Sequence, residues 1–333
     1  MTANVVSIIV PALNEAEDIE GCLEAIAREQ WPREYLEVVL VDAASEDATV
    51  EKAAKVANEF GLDLKVCENP ARRTSVGLNI GLAACRGDVV VRVDARSRIG
   101  PSHVSHAVKT LGARRDVGVV GGGQRARARS ESVRDRGIAR ALGNRYTTGL
   151  ARYRRATRSG SADTVWMGAF RTDDLRTLGG WNEAVALNED YDLNRRVRDA
   201  GLLVWFDPAM DAEYVPRPDL RRLALQYFRF GRVKGTWWAR GRRPAPRQLL
   251  LVLAPLAAVG TTAITAIKIG PLVTVAAALG ALCALDALGC DGAAPPVERA
   301  VALTAATVSC ASWWTGVVIG LAGETLGVRH AHG

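Results

Sequence analysis

Acidic and amide side chains follow the apolar runs in the first third of the sequence. Asn14 and Glu15 come after "VVSIIV", Asp42 comes after "LEVVLV", and Asp94 comes after "DVVVRV". Such side chains can hold a nucleotide whose phosphate charge is met by a metal or by arginines, and oxygen ligands suit Mg²⁺ or Mn²⁺. Each carboxylate also has a structural alternative: Asp42 can serve as a turn residue that caps a helix, and Asp94 can pair with the arginines beside it.

A second acidic pair occurs in "LNEDYDLNRRVRDAG", residues 187–201. The pattern predicts a helix capped by Asn188, with an inward apolar stripe, and ended by Gly201. Glu189 and Asp190 then lie in the first turn, where the helix dipole favours carboxylates. Two interpretations stay open from spacing alone: an acid–base pair that faces a cleft, and ordinary charge compensation at a helix start.

The elements that must position these residues follow a simple rhythm. Strands are predicted at "VVSIIV", "LEVVLV", "DLKVC" and "DVVVRV". Helices are predicted between them at "NEAEDIEGCLEAIARE", with Asn14 as its cap, at "SEDATVEKAAKVANEF", closed by Gly61, and at "RTSVGLNIGLAACR". Alternation of this kind predicts an α/β fold with a parallel sheet, in which ligands bind beyond the carboxyl ends of the strands.

The turn after the first strand argues against a dinucleotide-binding protein. Such a protein needs a glycine-rich turn there, so that the backbone can approach a pyrophosphate. The turn "PALNEAE" contains no glycine, and "GGGQR" at residues 121–125 comes too late in the chain.

The composition of the chain indicates what kind of partner it binds and in which cellular compartment it lies. The 333 residues are 48% hydrophobic and 24% charged, which excludes a disordered chain. A formal net charge of +7 favours an anionic partner. The six cysteines form no C-x-x-C pair, and the N-terminus lacks the pattern of a signal peptide, so we expect reduced thiols and a catalytic domain in the cytoplasm.

The last third of the chain has the composition of a membrane anchor. Apolar stretches within residues 248–325 approach the roughly 20 residues that cross a bilayer, and about three transmembrane helices are predicted there. Residues 217–247 form a basic, aromatic segment of the kind found at a membrane surface. The alternative is a buried helical subdomain. We therefore expect a multi-pass protein of the cell membrane, with a catalytic domain at residues 1–216 and no nucleic-acid partner.

Several motifs together resemble the family 2 glycosyltransferases. They are "SIIVPALNEAEDIEGCLEAI", "VVLVDAASEDAT", "GLNIGLAACRGDVVVRVDARS", "GGWNEAVALNEDYDLNRRVRDAG" and "QYFRFGR", in the family's order across roughly residues 5–235. The run "DTVWMGAFR" is more narrowly similar to membrane-anchored glucosyltransferases of succinoglycan-type exopolysaccharide assembly. The resemblance implies a GT-A nucleotide-diphospho-sugar transferase fold, Rossmann-like with a mostly parallel sheet, followed by C-terminal transmembrane helices.

The resemblance also implies roles for individual residues. The donor would be contacted by Pro11, Asn14, Glu15, Asp42, Asp94 and Arg96. Asp94 would hold Mg²⁺ or Mn²⁺ as the first position of a D-x-D motif, and Asp190 would be the catalytic base, positioned by Glu189. Gln226 and Arg229 match the Q-x-x-R-W motif near the acceptor and diphosphate. Trp166 either stacks on a sugar or is a packing residue.

Two positions depart from the family pattern. Arg96 replaces the last carboxylate of the metal motif, and Phe230 replaces the tryptophan of the other motif. The first change implies a metal held by fewer protein ligands, an arginine that neutralises part of the phosphate charge, or lost catalysis.

These features predict an inverting enzyme that transfers a hexose, such as glucose from UDP-glucose, to a lipid-linked saccharide in cell-surface polysaccharide synthesis. Two alternatives remain: a polyprenyl-phosphate glycosyltransferase, and a non-catalytic membrane scaffold that binds nucleotide sugars.

Overall fold

The protein forms two compact units that do not follow chain order. The computed structural model describes residues 5–144, 152–185, 187–217, 219–246, 248–249, 252–253, 281, 286, 288–290 and 292–325. The first unit comprises residues 1–125 and 152–214, and the second comprises residues 126–151 and 215–333. The described residues 126–144 thus cluster with the C-terminal part of the chain, which sequence patterns did not indicate.

The first unit begins with the predicted alternation of strands and helices. Its elements are β1 (Val6–Ala12), α1 (Ile19–Ala27), β2 (Leu36–Asp42), α2 (Thr49–Phe60), β3 (Asp63–Glu68), α3 (Thr74–Ala84) and β4 (Val89–Arg92). Strand β1 pairs in parallel with β2 and with β4, and β2 pairs in parallel with β3. The carboxyl ends of these strands therefore share one edge, which carries Asp42 and Asp94 as expected.

The second half of this unit extends the sheet with strands of both directions. After β5 (Ser97–Ile99) and α4 (His103–Ala113) come β6 (Val117–Gly122), β7 (Gln124–Ala126), β8 (Gly160–Ser161), β9 (Trp166–Arg171), β10 (Leu203–Phe206) and β11 (Ala212–Tyr214). The eight-stranded sheet has the order β3-β2-β1-β4-β9-β6-β10-β8, and the small second sheet has the order β5-β11-β7. Because β9 is antiparallel to β4 and β6, its first residue, Trp166, lies at the edge where β4 ends.

The large sheet is buried on both faces because its central strands are almost wholly apolar. Ile8 belongs to the apolar cluster on one face and Ile9 to the cluster on the other, as the two-residue period of a strand requires. Helix α7 (Thr172–Thr177) and helix α8 (Glu189–Asp199) complete this part, and a short α6 spans Arg152–Arg155.

One helix start differs from the sequence prediction, whereas one predicted helix end is confirmed. Helix α1 begins at Ile19 with Asp18 at its N-cap, so the prediction that Asn14 caps it was wrong. Asn14 instead adopts a left-handed backbone conformation, with φ of 53°, in the loop after β1. Helix α2 ends at Gly61 as predicted, because glycine adopts its left-handed conformation, with φ of 61°, without strain.

The second unit is helical in the part that the structure describes. It contains α5 (Val133–Gly143), α9 (Leu220–Ala239) and α10 (Pro296–Thr325). Gly231 and Gly235 of α9 face the backbone of α10, where a Cβ on either glycine would collide with Trp313 or Val317. Small residues spaced by four thus let the two helices approach closely, as in packed membrane helices.

Helix α10 is long and apolar enough to cross a membrane by length and composition. The same test is passed by core helices of soluble proteins. Most of the apolar stretch between residues 249 and 290, which carries the other predicted transmembrane helices, lies outside the described residues. Within that stretch, Asp286 is buried and pairs with Arg140 and Arg299, at 2.9 and 3.0 Å.

Candidate active site

A buried arginine gathers the acidic residues at the end of β4. Arg92 is the last residue of this strand, and only 8% of its side chain is exposed. Its Nε lies 2.7 Å from Oδ1 of Asp94, and its Nη1 lies 2.8 Å from Oε1 of Glu189 and 2.7 Å from Oδ1 of Asp190. The expected ion pair of Asp94 with a neighbouring arginine is therefore present, and it extends to both acidic residues of α8.

Helix α8 presents its two acidic residues from its first turn, as predicted. Asn188 stands at the N-cap position, but its side chain makes no capping hydrogen bond and its backbone is left-handed, with φ of 64°. The expected side-chain cap was therefore wrong. Glu189 and Asp190 do more than compensate the helix dipole, because both accept hydrogen bonds from Arg92 across the site.

Asp190 is poised to exchange a proton near neutral pH. Burial raises the pKa of its carboxyl to about 7, opposed by Arg92 and reinforced by the charges of Glu189 and Asp94. Its Oδ1 accepts hydrogen bonds from Arg92 and, at 3.4 Å, from the indole of Trp181. Among the described residues nothing bonds to Oδ2, so this oxygen is available to take a proton from a substrate.

Two tryptophans complete the cluster around Arg92. The indole of Trp166 donates to Oδ2 of Asp94 at 3.2 Å, whereas that of Trp181 donates to Asp190. Trp166 also makes an edge-to-face contact with Tyr214, at 6.1 Å between ring centroids. A packing role is therefore observed for Trp166, and its predicted contact with a sugar stays a prediction.

Arg96 is held by a residue from the loop after β1. Its Nε and Nη2 donate to the two carboxylate oxygens of Glu15, at 2.7 and 3.0 Å. This bidentate pair is strong and directional. The third nitrogen, Nη1, is buried without a partner among the described residues and is thus free to bind an anion.

The remaining predicted donor residues form a connected loop at the ends of β1 and β2. Asp42 accepts a hydrogen bond from the backbone of Ser45, whose hydroxyl accepts from the backbone of Asn14. Pro11 lies within β1, one residue before its end. Oδ1 of Asp42 is buried without a partner in the described part of the chain. A polar ligand that reached this oxygen would satisfy a buried acceptor that is otherwise costly.

Asp94 is the protein ligand that was predicted for the metal. No group of three metal-ligating side chains occurs among the described residues. Asp94 keeps 25% of its side chain exposed, and its Oδ2 accepts only the Trp166 hydrogen bond. This arrangement fits a cation of the Mg²⁺ type, which binds through one or two carboxylates and the phosphates of a substrate.

The structure thus brings most of the predicted residues together along one edge of the sheet. Gln226 and Arg229 lie on α9 of the second unit, and their role at the acceptor remains a prediction. The sequence indicated Arg92 only as one of the arginines that could pair with Asp94, and it indicated no role for Trp181. For Arg92 a signal existed, since a charged residue interrupts a run of buried valines.

The sheet and the site define a GT-A fold of the nucleotide-diphospho-sugar transferases. The model of "Glycosyl transferase family 2" matches residues 7–178, about half of the chain. The protein belongs to this family and is a glycosyltransferase.

Individual relatives agree with this assignment. The succinoglycan biosynthesis protein ExoA of Rhizobium meliloti is 29% identical over 254 residues, covering 75% of this chain and 76% of the relative. A dolichyl N-acetyl-α-D-glucosaminyl phosphate 3-β-D-2,3-diacetamido-2,3-dideoxy-β-D-glucuronosyltransferase of Methanococcus voltae is 21% identical, covering 72% and 75%. The mannosyltransferase PcManGT of Pyrobaculum calidifontis, solved with GDP-mannose and Mn²⁺, matches with a TM-score of 0.58 and 22% identity, over 99% of this chain and 89% of that one.

Proposed function

We propose that this glycosyltransferase moves a hexose from a nucleotide sugar to a lipid-linked saccharide with inversion at the anomeric carbon. The observation that carries the proposal is the cluster around Arg92. It holds Asp94, the predicted donor-side carboxylate, and Asp190, the predicted base, on one guanidinium group.

Asp190 acts as the base. Its free Oδ2 takes the proton of an acceptor hydroxyl, and the oxygen of that hydroxyl forms a bond to the anomeric carbon. The bond from this carbon to the diphosphate breaks, and the nucleoside diphosphate leaves with the electron pair. Attack from the side opposite the leaving group inverts the anomeric configuration.

The donor is held by the loops after β1, β2 and β4. Oδ1 of Asp42 and the loop that contains Asn14 would bind the hydrogen-bond donors of the nucleoside. Nη1 of Arg96 would donate a hydrogen bond to a phosphate oxygen. Pro11 and Glu15 line the same edge by their position in β1 and the loop that follows it.

The charge of the site supports a requirement for Mg²⁺ or Mn²⁺. Two guanidinium groups face four carboxylates when Asp190 is ionised, namely Glu15, Asp94, Glu189 and Asp190. A diphosphate would add further negative charge to a site that is already negative, at a large electrostatic cost. Asp94 would hold a divalent cation, which would offset this charge and stabilise the leaving diphosphate.

The acceptor proposal draws on the relatives and on the C-terminal unit. One relative is named for succinoglycan biosynthesis, and the name of another contains dolichyl N-acetyl-α-D-glucosaminyl phosphate, a lipid-linked sugar. Helix α10 would anchor the chain, together with the other predicted transmembrane helices, and Gln226 and Arg229 would serve the acceptor and the diphosphate. The donor would be UDP-glucose or a related nucleotide sugar.

A turnover assay on the full chain in detergent tests the function. UDP-glucose, other nucleotide sugars and lipid-linked acceptors are supplied with Mn²⁺ or Mg²⁺, and both the released nucleoside diphosphate and the extracted lipid product are measured. We expect Asp190→Asn to abolish transfer, whereas Asp199→Asn, at the exposed end of the same helix, should leave it unchanged. Equal rates for wild type and Asp190→Asn would refute the proposed base. Product formed on bare polyprenyl phosphate would show that the acceptor is the lipid phosphate itself and not a lipid-linked saccharide.

A further inference from the structure

Arg92 is an unusual residue for its place in the fold. Strand β4 lies inside the eight-stranded sheet, between β1 and β9, and its other three residues are buried valines. A guanidinium group at such a position is costly to desolvate unless charged partners surround it. Three carboxylates surround this group, at 2.7 Å from Asp94, 2.8 Å from Glu189 and 2.7 Å from Asp190.

The partners of Arg92 come from two segments that are far apart in sequence. Asp94 belongs to the loop directly after β4, whereas Glu189 and Asp190 lie 97 and 98 residues from Arg92. Nε of Arg92 contacts Asp94 on the proposed donor side, and Nη1 contacts Glu189 and Asp190 on the proposed acceptor side. Because the guanidinium group is rigid and planar, it sets the separation between these carboxylates.

The hydrogen bonds to Asp190 distinguish its two carboxylate oxygens. Arg92 and Trp181 both donate to Oδ1, which orients the carboxylate and leaves Oδ2 without a hydrogen bond from the described residues. Asp94 differs from Asp190, because Arg92 donates to its Oδ1 and Trp166 donates to its Oδ2, so both of its oxygens are held.

We propose that Arg92 is a positioning residue for sugar transfer, which fixes the catalytic base relative to the donor-side carboxylate through a single guanidinium group. This proposal rests on the proposed function, because it takes Asp190 as the base. It assigns Arg92 no contact with either substrate.

The conservative variant Arg92→Lys tests this role. A lysine keeps the charge, but it is a single ammonium group and cannot present the planar fork that joins the two sides. We expect kcat to fall on the order of 10–100-fold, as is typical when a group that orients a catalytic residue is lost, with little change in the KM for the donor.

Arg171→Lys is the matched control. Arg171 ends β9 in the same sheet, 14% of its side chain is exposed, and it pairs with Asp174 at 2.7 Å, away from the Arg92 cluster. Melting temperatures verify that both variants are folded, and Arg92→Gln replaces Arg92→Lys if the lysine variant is unfolded. As a second measurement, guanidinium chloride at low, non-denaturing concentration should restore part of the kcat of Arg92→Gly.

The outcomes separate this proposal from the proposed function. A kcat of Arg92→Lys equal to that of Arg171→Lys, with Asp190→Asn inactive, would overturn the role of Arg92 and leave the function intact. A change confined to the KM for the donor would also overturn it, because it would show substrate binding in place of positioning. Equal activity of Asp190→Asn and wild type would instead overturn the function.

Discussion

The pH dependence of turnover provides a direct test of the Asp190 environment. Because burial raises the pKa of this carboxyl to about 7, it is protonated at lower pH and cannot accept a proton from the acceptor. The sign follows: activity is present above pH 7 and is lost as the pH falls through 7. Each pH unit below the midpoint should lower kcat about tenfold.

The charge of the neighbouring Glu189 allows the size of a shift in this pH midpoint to be calculated. Oxygens of Glu189 and Asp190 both lie within 2.8 Å of Nη1 of Arg92, so these oxygens are at most about 5.5 Å apart. At that distance two charges repel by about 0.8 kcal/mol in a water-like dielectric and by about 3 kcal/mol at an effective dielectric constant of 20. Glu189→Gln should therefore move the midpoint to lower pH by about half a unit to two units.

The assay is the rate of lipid-linked product formation at saturating donor, acceptor and metal from acidic to mildly alkaline pH. Activity after return from each pH to neutrality controls for inactivation. A midpoint near the ordinary value of an aspartic acid would contradict the raised pKa of Asp190. An unchanged or higher midpoint in Glu189→Gln would contradict the electrostatic account.

Three other measurements test separate parts of the structure. Asp42→Asn should weaken donor binding about 10- to 100-fold, because it alters a buried acceptor that a polar ligand would satisfy, and a thermal-shift titration with the nucleotide sugar would measure this. Chelation with EDTA should remove the donor-induced shift and Mn²⁺ should restore it, whereas in Asp94→Asn added Mn²⁺ should have little effect; an EDTA-resistant shift would argue against the cation. Gly235→Leu should destabilise the α9–α10 pair by about 1–3 kcal/mol, seen as a lower melting temperature, while Gly143→Ala, which meets open space, should not.

The sequence alone was sufficient for the alternating half of the fold. The apolar runs of β1, β2 and β4 and the periodic helices between them predicted parallel strands, because strand and helix periods are local properties of the chain. The same logic placed Asp42 and Asp94 at one edge of the sheet. Family motifs singled out Asp190, although spacing by itself left its role open.

Long-range packing decided what local patterns could not. The antiparallel direction of β9 brings Trp166 to Asp94, and α8 brings Asp190 to Arg92, across 98 residues of chain. Local rules also misplaced the start of α1, where Asn14 is held instead by Ser45 and Glu46 from the loop after β2. The sequence therefore identified the residues that can take part in chemistry. Only the tertiary structure showed that Arg92 joins them, because the partners of a buried charge come from segments that are distant in the chain.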